Sequence, residues 1–367
     1  MSSTRPPAQD ATAEPLASAS FVRVVAASDG DSLAAAGLLA GACESRATPF
    51  QLRFGREAGT EDAVTVAVGP VGVDAEVTLP TPAAPAAYGL ADQLDADPNP
   101  VLALAGTVAA GETVESAPEV LDAAEDRLQR RPGVAIPTEE YSSGLASSTL
   151  LHAPFSGDES AAAAFVAELG DSEQDAYDRR LASLVAIDTV TTEGVTVEAA
   201  QQVERALRPY ATPEGPFETL GGYADVLEAV SRTAPGTGIQ LVLGRGGRED
   251  ALDAWRSHGE TVHRLLREAD TARHRGLAVL SVPGADPAAL PAVARLHRAF
   301  RSPEPLVLAV TDGSAAVAST EEGADAGETL AAAADTVGGS GHGTETTGTA
   351  RFDTDSTAFT DAFREAL

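Results

Sequence analysis

Five consecutive residues, Ser28-Asp29-Gly30-Asp31-Ser32, place two carboxylates around a glycine. An apolar run (Phe21, Val22, Val24, Val25) precedes them, and a helical pattern with Leu33, Leu38 and Leu39 on one face follows. Strand, acidic turn and helix in this order put Asp29 and Asp31 at the carboxyl edge of a sheet, where open α/β sheets bind their ligands. The same residues also make an ordinary turn in which Asp31 or Ser32 caps the helix. A second stretch, Gly338-Gly339-Ser340-Gly341-His342-Gly343-Thr344, is rich in glycine. Glycine lets backbone N–H groups come close to a phosphate, and His342 adds a side-chain donor. A surface loop has the same composition. A third, Gly244-Arg245-Gly246-Gly247-Arg248, lacks the Lys-Ser/Thr of a nucleotide-binding loop and reads as a turn.

The other histidines are weaker candidates. His258 and His263 are five apart on a long helix, off one face, so they do not form a metal pair. His152 lies in a loop and His274 ends the long helix. His297 lies among Arg295, Arg298 and Arg301, a basic edge that is either solvated or in contact with a phosphate backbone. Cys43 is the single cysteine, which leaves no disulfide and no cysteine-based metal site within one chain.

The elements that position these residues read as alternating strands and helices. Strands are expected at Phe21–Val25, Pro49–Phe54, Ala63–Gly69 and Ala75–Leu79, with a helix from Ala83 to Leu94. Val101–Gly106 is a strand or a buried helix, and Ala117–Arg130 an amphipathic helix. Residues 132–160 read as loop, and helices follow at about 158–169, 173–188 and 196–208. The proline-rich run from Arg208 to Pro216 marks a linker, taken as 208–218. Beyond it come a helix at Thr219–Arg232, a strand at Ile239–Leu243 and a long helix over 249–274, on which Trp255, Val262, Leu265 and Leu266 form a core stripe. Strands at Leu277–Val282, Leu306–Val310 and Ala315–Ser319, a glycine-rich turn over Val337–Gly348, an edge strand near Thr349–Phe352 and a short amphipathic helix close the chain. Strands alternating with helices argue for a parallel sheet in the first half.

The chain has 367 residues, enough for two domains. Its formal net charge is -30, with 55 acidic residues against 25 basic ones, all of them arginine. Such a surface repels itself at low salt and holds water and counterions at high salt, which points to a salt-adapted cytoplasmic protein. High salt also screens repulsion, so the acidity does not exclude a nucleic acid partner. No run of apolar residues is long enough to span a membrane. Residues 1–20 lack the apolar core of a signal peptide and read as a disordered tail.

Three stretches together resemble the DHH phosphoesterase superfamily, in particular the archaeal RecJ-like exonucleases of the GINS-associated type. VVAASDGDSLAAAGLLA is similar to the strand, His-x-Asp-x-Asp-Gly and small-residue helix that open family members. GGSGHGTETTGTARF is similar to their closing Gly-Gly-Gly-His turn, and PFETLGGYADVLEAVSRTAPGTGIQLVLG to a segment of their C-terminal domain. The resemblance implies an α/β fold of two domains. A parallel-sheet DHH-like domain covers 21–207, and a smaller mixed α/β DHH-associated domain, 219–367, faces it across a cleft. The family hydrolyses phosphodiesters with two Mn²⁺ or Mg²⁺ ions. Aligned on Asp29-Gly30, this chain has Val25 at the family's histidine and Ala27 at its first aspartate; Asp31 lies past the glycine, and Ala110 stands where another aspartate ligand is expected. The resemblance therefore implies a catalytically degenerate protein of DNA replication or repair with no metal cofactor. It would bind single-stranded DNA or RNA at Gly338, Gly339, Gly341, His342 and Gly343, with replication proteins of the GINS and MCM kind as partners. The alternative is an active exonuclease or phosphoesterase in which Asp29, Asp31 and Asp74 hold Mn²⁺ or Mg²⁺ as an altered ligand set.

Overall fold

The computed structural model describes residues 13–55, 63–170, 173–191, 196–320 and 325–367, and the chain folds as two compact units. The first runs to Asp126 and takes back Pro235–Gly247; the second comprises Arg127–Ala234 and Arg248–Leu367. Of the expected tail, residues 1–12 lie outside the described residues. Glu14–Ala17 is a helical turn instead, with Leu16 buried.

In the first unit, strands β1 (Val22–Ala26), β2 (Phe50–Phe54), β3 (Val64–Val68) and β4 (Val77–Leu79) form an all-parallel sheet in the order β2-β1-β3-β4. All five residues of β1 are buried, as expected of a central parallel strand covered on both faces. The helix Gly30–Ser45 follows β1 and is buried almost all round. Its alanines and glycines let neighbouring helices come close. A Cβ on Gly37 would lie 2.6 Å from Val242 Cβ, and one on Gly106 would lie 2.4 Å from Ala84 Cβ and 2.8 Å from Ala34 Cβ. Residues 101–106 belong to the helix Pro100–Ala109, whose first turn Asn99 caps through its side-chain oxygen. The strand expected at Ile239–Leu243 is the helix Pro235–Val242. A five-residue apolar run has no period of its own, and packing of Val242 onto Gly37 settles the conformation.

The second unit begins with β5 (Gln129–Arg130), which pairs with β6 (Tyr210–Ala211). The division between units therefore falls at 126/127 rather than within the expected linker 208–218. That proline-rich run is tied into the unit by β6 and by Thr219, whose hydroxyl donates to Ile136 O at 2.8 Å. The helix expected over 117–130 stops at Ala123, and the segment expected as loop holds the helix Tyr141–Ser147.

The main sheet of this unit contains β7 (Asp270–His274), β8 (Leu277–Ser281), β9 (Leu306–Thr311), β10 (Ser314–Ser319), β11 (Ser340–Gly343) and β12 (Thr347–Arg351) in the order β11-β12-β10-β9-β8-β7. It is mixed, with β8 and β9 parallel and the other pairs antiparallel. Alternate residues serve two cores: Ala278, Leu280, Val307 and Ala309 face one, and Leu277, Val279, Leu306 and Leu308 the other. The helix Leu290–Phe300 fills the first core; Ala326–Thr336 and Ser356–Ala366 fill the second. The long helix is Arg248–Glu268, and Trp255 is fully buried on its core stripe. It ends six residues earlier than the expected 274, because Asp270–His274 turns back through Gly276 (φ +81°) to pair with β8. No helix of the described residues is long and apolar enough to cross a membrane.

Candidate functional site

From β1 the chain passes to β2 on one side and then to β3 on the other. The carboxyl ends of β1 and β3 therefore flank the switch point of the sheet, the usual ligand crevice of this architecture. Here the lining is apolar. Val25 and Ala27 from the end of β1 are 1% and 5% exposed, and they cluster with Ala67 and Val71, with Val73 and Ala75 packed against them. The residue aligned with the family's histidine and the one aligned with its first aspartate thus form part of a small hydrophobic cluster.

The carboxylates beside this cluster are engaged by backbone. Asp29 is the N-cap of the helix Gly30–Ser45 and accepts from Ser32 N at 2.7 Å. The cap is Asp29, not Asp31 or Ser32. Asp31 is 1% exposed and reaches across to a different helix. Its two oxygens accept from Ala83 N at 2.6 Å and Ala84 N at 2.8 Å, the first two residues of the helix Ala83–Gln93. That helix follows Pro82 and has no side-chain cap of its own, so Asp31 supplies the anion its N-terminus favours. Asp74 stands apart on an exposed loop between β3 and β4. Ala110 ends the helix Pro100–Ala109. Ser32 Oγ, which a Cβ on Gly69 would meet at 2.4 Å, is buried without a hydrogen-bond partner. One neutral hydroxyl does not replace the several oxygen ligands that a pair of divalent ions requires. The residues present do not fit a two-metal centre, and no group of three or more His, Cys, Asp or Glu able to hold a metal occurs among the described residues.

The glycine-rich stretch near the C-terminus is an edge strand with a hairpin, not a loop. Gly338 (φ +74°) ends the helix Ala326–Thr336, and β11 follows directly. The helix and β12 lie so close on this stretch that side chains are excluded. A Cβ on Gly341 would meet Ala331 Cα of the helix at 2.9 Å, one on Gly343 would meet Gly327 Cα of the helix at 2.9 Å and Thr347 O of β12 at 2.1 Å, and one on Gly339 would meet Arg351 O of β12 at 2.3 Å. Packing alone accounts for these three glycines. His342 is half-buried on the same strand, with Nε2 3.4 Å from Thr349 Oγ1. Gly338 and Gly339 therefore lead into β11, and Gly341, His342 and Gly343 lie on it, at the end of the sheet on a strand with one paired side.

The second unit also brings together residues that sequence reasoning left apart. Asp225 is buried and accepts from Thr149 Oγ1 and N and from Trp255 Nε1 at 2.8 Å. Arg295 closes the network by donating to Thr149 O at 3.0 Å and to its hydroxyl at 3.2 Å. Burial raises the Asp225 carboxyl pKa, and its hydrogen bonds oppose the rise. His152 stacks on His263 with their Nδ1 atoms 3.0 Å apart, and His263 Nε2 lies 2.9 Å from Ser148 O. A carbonyl only accepts, so His263 carries its proton on Nε2 and His152 donates from Nδ1. Burial lowers the pKa of His152 to about 2 and those of His258, His263 and His297 to about 4. Partners more than a hundred residues apart leave no local pattern, so spacing along the chain could not have revealed this pair. Cys43 is buried, which pushes its thiol up to about 11.

With this geometry in hand, the chain is similar to known proteins in two ways. A family model described as "Uncharacterized protein rrnAC1427, C-terminal domain" matches residues 269–365. The protein rrnAC1427 of Haloarcula marismortui is 47% identical over 361 residues, covering 96% of this chain and 95% of the relative. Among solved structures, RecJ of Thermus thermophilus in complex with Mn²⁺ superposes with a TM-score of 0.52 at 15% identity over 96% of this chain. The chain spans about half (52%) of that RecJ. CDC45 from Entamoeba histolytica superposes with a TM-score of 0.51 at 9% identity over 96% of both chains. At these identities the likeness is one of fold.

Proposed function

We propose, from the premise that the chain belongs to the rrnAC1427 family, that it serves DNA replication or repair as a RecJ-like protein without nuclease activity. In this reading it binds single-stranded nucleic acid and replication proteins, those of the GINS and MCM kind being the partners the resemblance suggests. The observation that carries the reading is the apolar switch point: Val25, Ala27, Ala67 and Val71 pack where metal ligands would have to stand. Beside it, Asp29 and Asp31 hold helix N-termini. The fold shared with RecJ and with CDC45 supports the link to nucleic acid. The edge strand with Gly341, His342 and Gly343, together with Gly338 and Gly339 that lead into it, is the proposed contact for the nucleic acid strand. Backbone amides beside an imidazole donor suit a phosphodiester there.

The test has two arms, both in molar KCl. A 5′-labelled single strand is incubated with the protein and Mn²⁺, and binding of the same strand is followed by fluorescence anisotropy. The reading expects an intact strand and a saturable anisotropy change that His342→Ala weakens. Degradation that disappears on Asp29→Ala would instead establish the altered-ligand exonuclease, and an absence of binding would remove nucleic acid from the account.

A further inference from the structure

A basic site in the second unit lies apart from both stretches discussed so far. The helix Arg248–Glu268, the helix Leu290–Phe300 and the loop His152–Gly157 meet at one place. His152 stacks on His263 of the first helix and lies edge-on to Phe300 at the end of the second, centroids 6.4 Å apart. Gly157 (φ +75°) fits there because a Cβ would come within 2.7 Å of His263 Cβ and 3.1 Å of Arg267 Nη1. Arg267 donates to Ser156 O at 2.7 Å, and Arg301, directly after Phe300, donates to Leu266 O at 3.2 Å. Arg301, the C-cap of the helix Leu290–Phe300, donates its backbone N–H to His297 O at 2.9 Å.

Two features set this cluster apart in a chain of net charge -30. Arg267 and Arg301 are exposed, yet no carboxylate pairs with either among the described residues. The acidic neighbours in sequence are engaged elsewhere, Glu268 with Arg264 and Glu304 with Gly276 N. The groups whose charges act on His152 are His263, Arg301, Arg267 and His297, all basic. His297 is 6% exposed, and neither ring nitrogen has a hydrogen-bond partner. A neutral imidazole always carries one N–H, so the fold holds a buried donor without an acceptor near the Arg301 guanidinium, whose charge acts on it. Each arginine also answers a carbonyl at a loop or helix end, a role that suits a cation. That role takes one N–H of each fork and leaves the others.

We infer that Arg267, Arg301 and His297 form a phosphate-binding site beside His152, taking either a free or terminal phosphate or a phosphodiester of a nucleic acid strand. The inference goes beyond the edge strand at β11 and does not depend on it.

The chain has six histidines, so their ring C–H resonances can be followed individually by NMR. Three probes are titrated at constant ionic strength in KCl: inorganic phosphate, a single strand without a terminal phosphate, and the same strand 5′-phosphorylated. The site predicts a saturable shift of the His152 and His297 resonances, with affinity reduced about tenfold or more in R267Q/R301Q, since charge-assisted forks are lost. A response to phosphate and to the phosphorylated strand identifies a terminal or free phosphate as ligand. A response to the unphosphorylated strand identifies the backbone. Absence of a saturable shift with all three probes overturns the inference, as does a shift that R267Q/R301Q leaves intact. Circular dichroism of the variant shows whether it is folded, and the wild-type titration stands without it. A phosphate response with no strand binding at all would leave this site standing while removing the nucleic acid reading above.

Discussion

Replacing Asp31 by alanine separates a structural carboxylate from a metal ligand. In the fold, both Asp31 oxygens accept backbone N–H bonds, from Ala83 and Ala84, in a position 1% exposed. Hydrogen bonds to a charged group contribute about 1.5–3 kcal/mol each, and a lost N-cap costs about 1 kcal/mol. The two bonds share one carboxylate and do not add fully, so D31A should lose about 3–4 kcal/mol, a large part of a domain's total of about 5–15 kcal/mol. D31N keeps one acceptor and should lose about half as much. Asp29, half-buried and bonded to Ser32 N, should lose about 1 kcal/mol as D29A. The assay is urea denaturation in molar KCl followed by far-UV circular dichroism, where D31A lowers the midpoint by about 1–2 M for an ordinary slope. Fluorescence is a poor substitute, because the single tryptophan, Trp255, belongs to the second unit. A carboxylate kept for metal binding would behave oppositely, since its removal relieves repulsion from Asp29. An unchanged or raised midpoint for D31A would refute the reasoning.

Other consequences follow from the second unit. His152, His258, His263 and His297 are held neutral, with pKa values of about 2 to 4 against an ordinary 6.5. The unfolded chain takes up protons that the fold refuses, so stability is complete above about pH 6.5 and falls below it by about 1 kcal/mol per pH unit for each histidine. Urea midpoints at about pH 7.5 and 5.5 check this, and equal midpoints would contradict it. Asp225→Ala leaves Thr149, Trp255 and, through Thr149, Arg295 without their shared acceptor; a loss of about 3–5 kcal/mol is expected, read from the Trp255 fluorescence transition. Gly327→Ala would drive a Cβ to 2.6 Å from the Gly343 carbonyl carbon and should cost about 1–3 kcal/mol in a thermal or urea melt, whether or not nucleic acid is present.

The strand, turn and helix at the opening acidic stretch were legible because an apolar run broken by an acidic glycine turn is a local signal, whereas the cap, expected at Asp31 or Ser32, is Asp29. The core role of Trp255 was legible from its helical stripe. What the acidic residues do was not. Asp31 acts on a helix about fifty residues away, and nothing near it in sequence marks Ala83 as its target. The same limit applies at 239–243, where Gly37 on another helix decides between strand and helix, and at 270–274, which pairing with β8 draws into the sheet. The glycines around His342 read equally as a phosphate cradle and as a packing seam. Contact distances to the helix Ala326–Thr336 were needed to see the seam. The unit boundary at 126/127 was hidden because 235–247 returns to the first unit.

The central claim, that the switch point of the first unit lacks a metal centre, is tested most directly by calorimetric titration of the full chain with Mn²⁺ in molar KCl. The account predicts no saturable heat above that of weak surface binding, and no difference between wild type and D29A. Tight binding of two ions per chain, abolished in D29A, would contradict it.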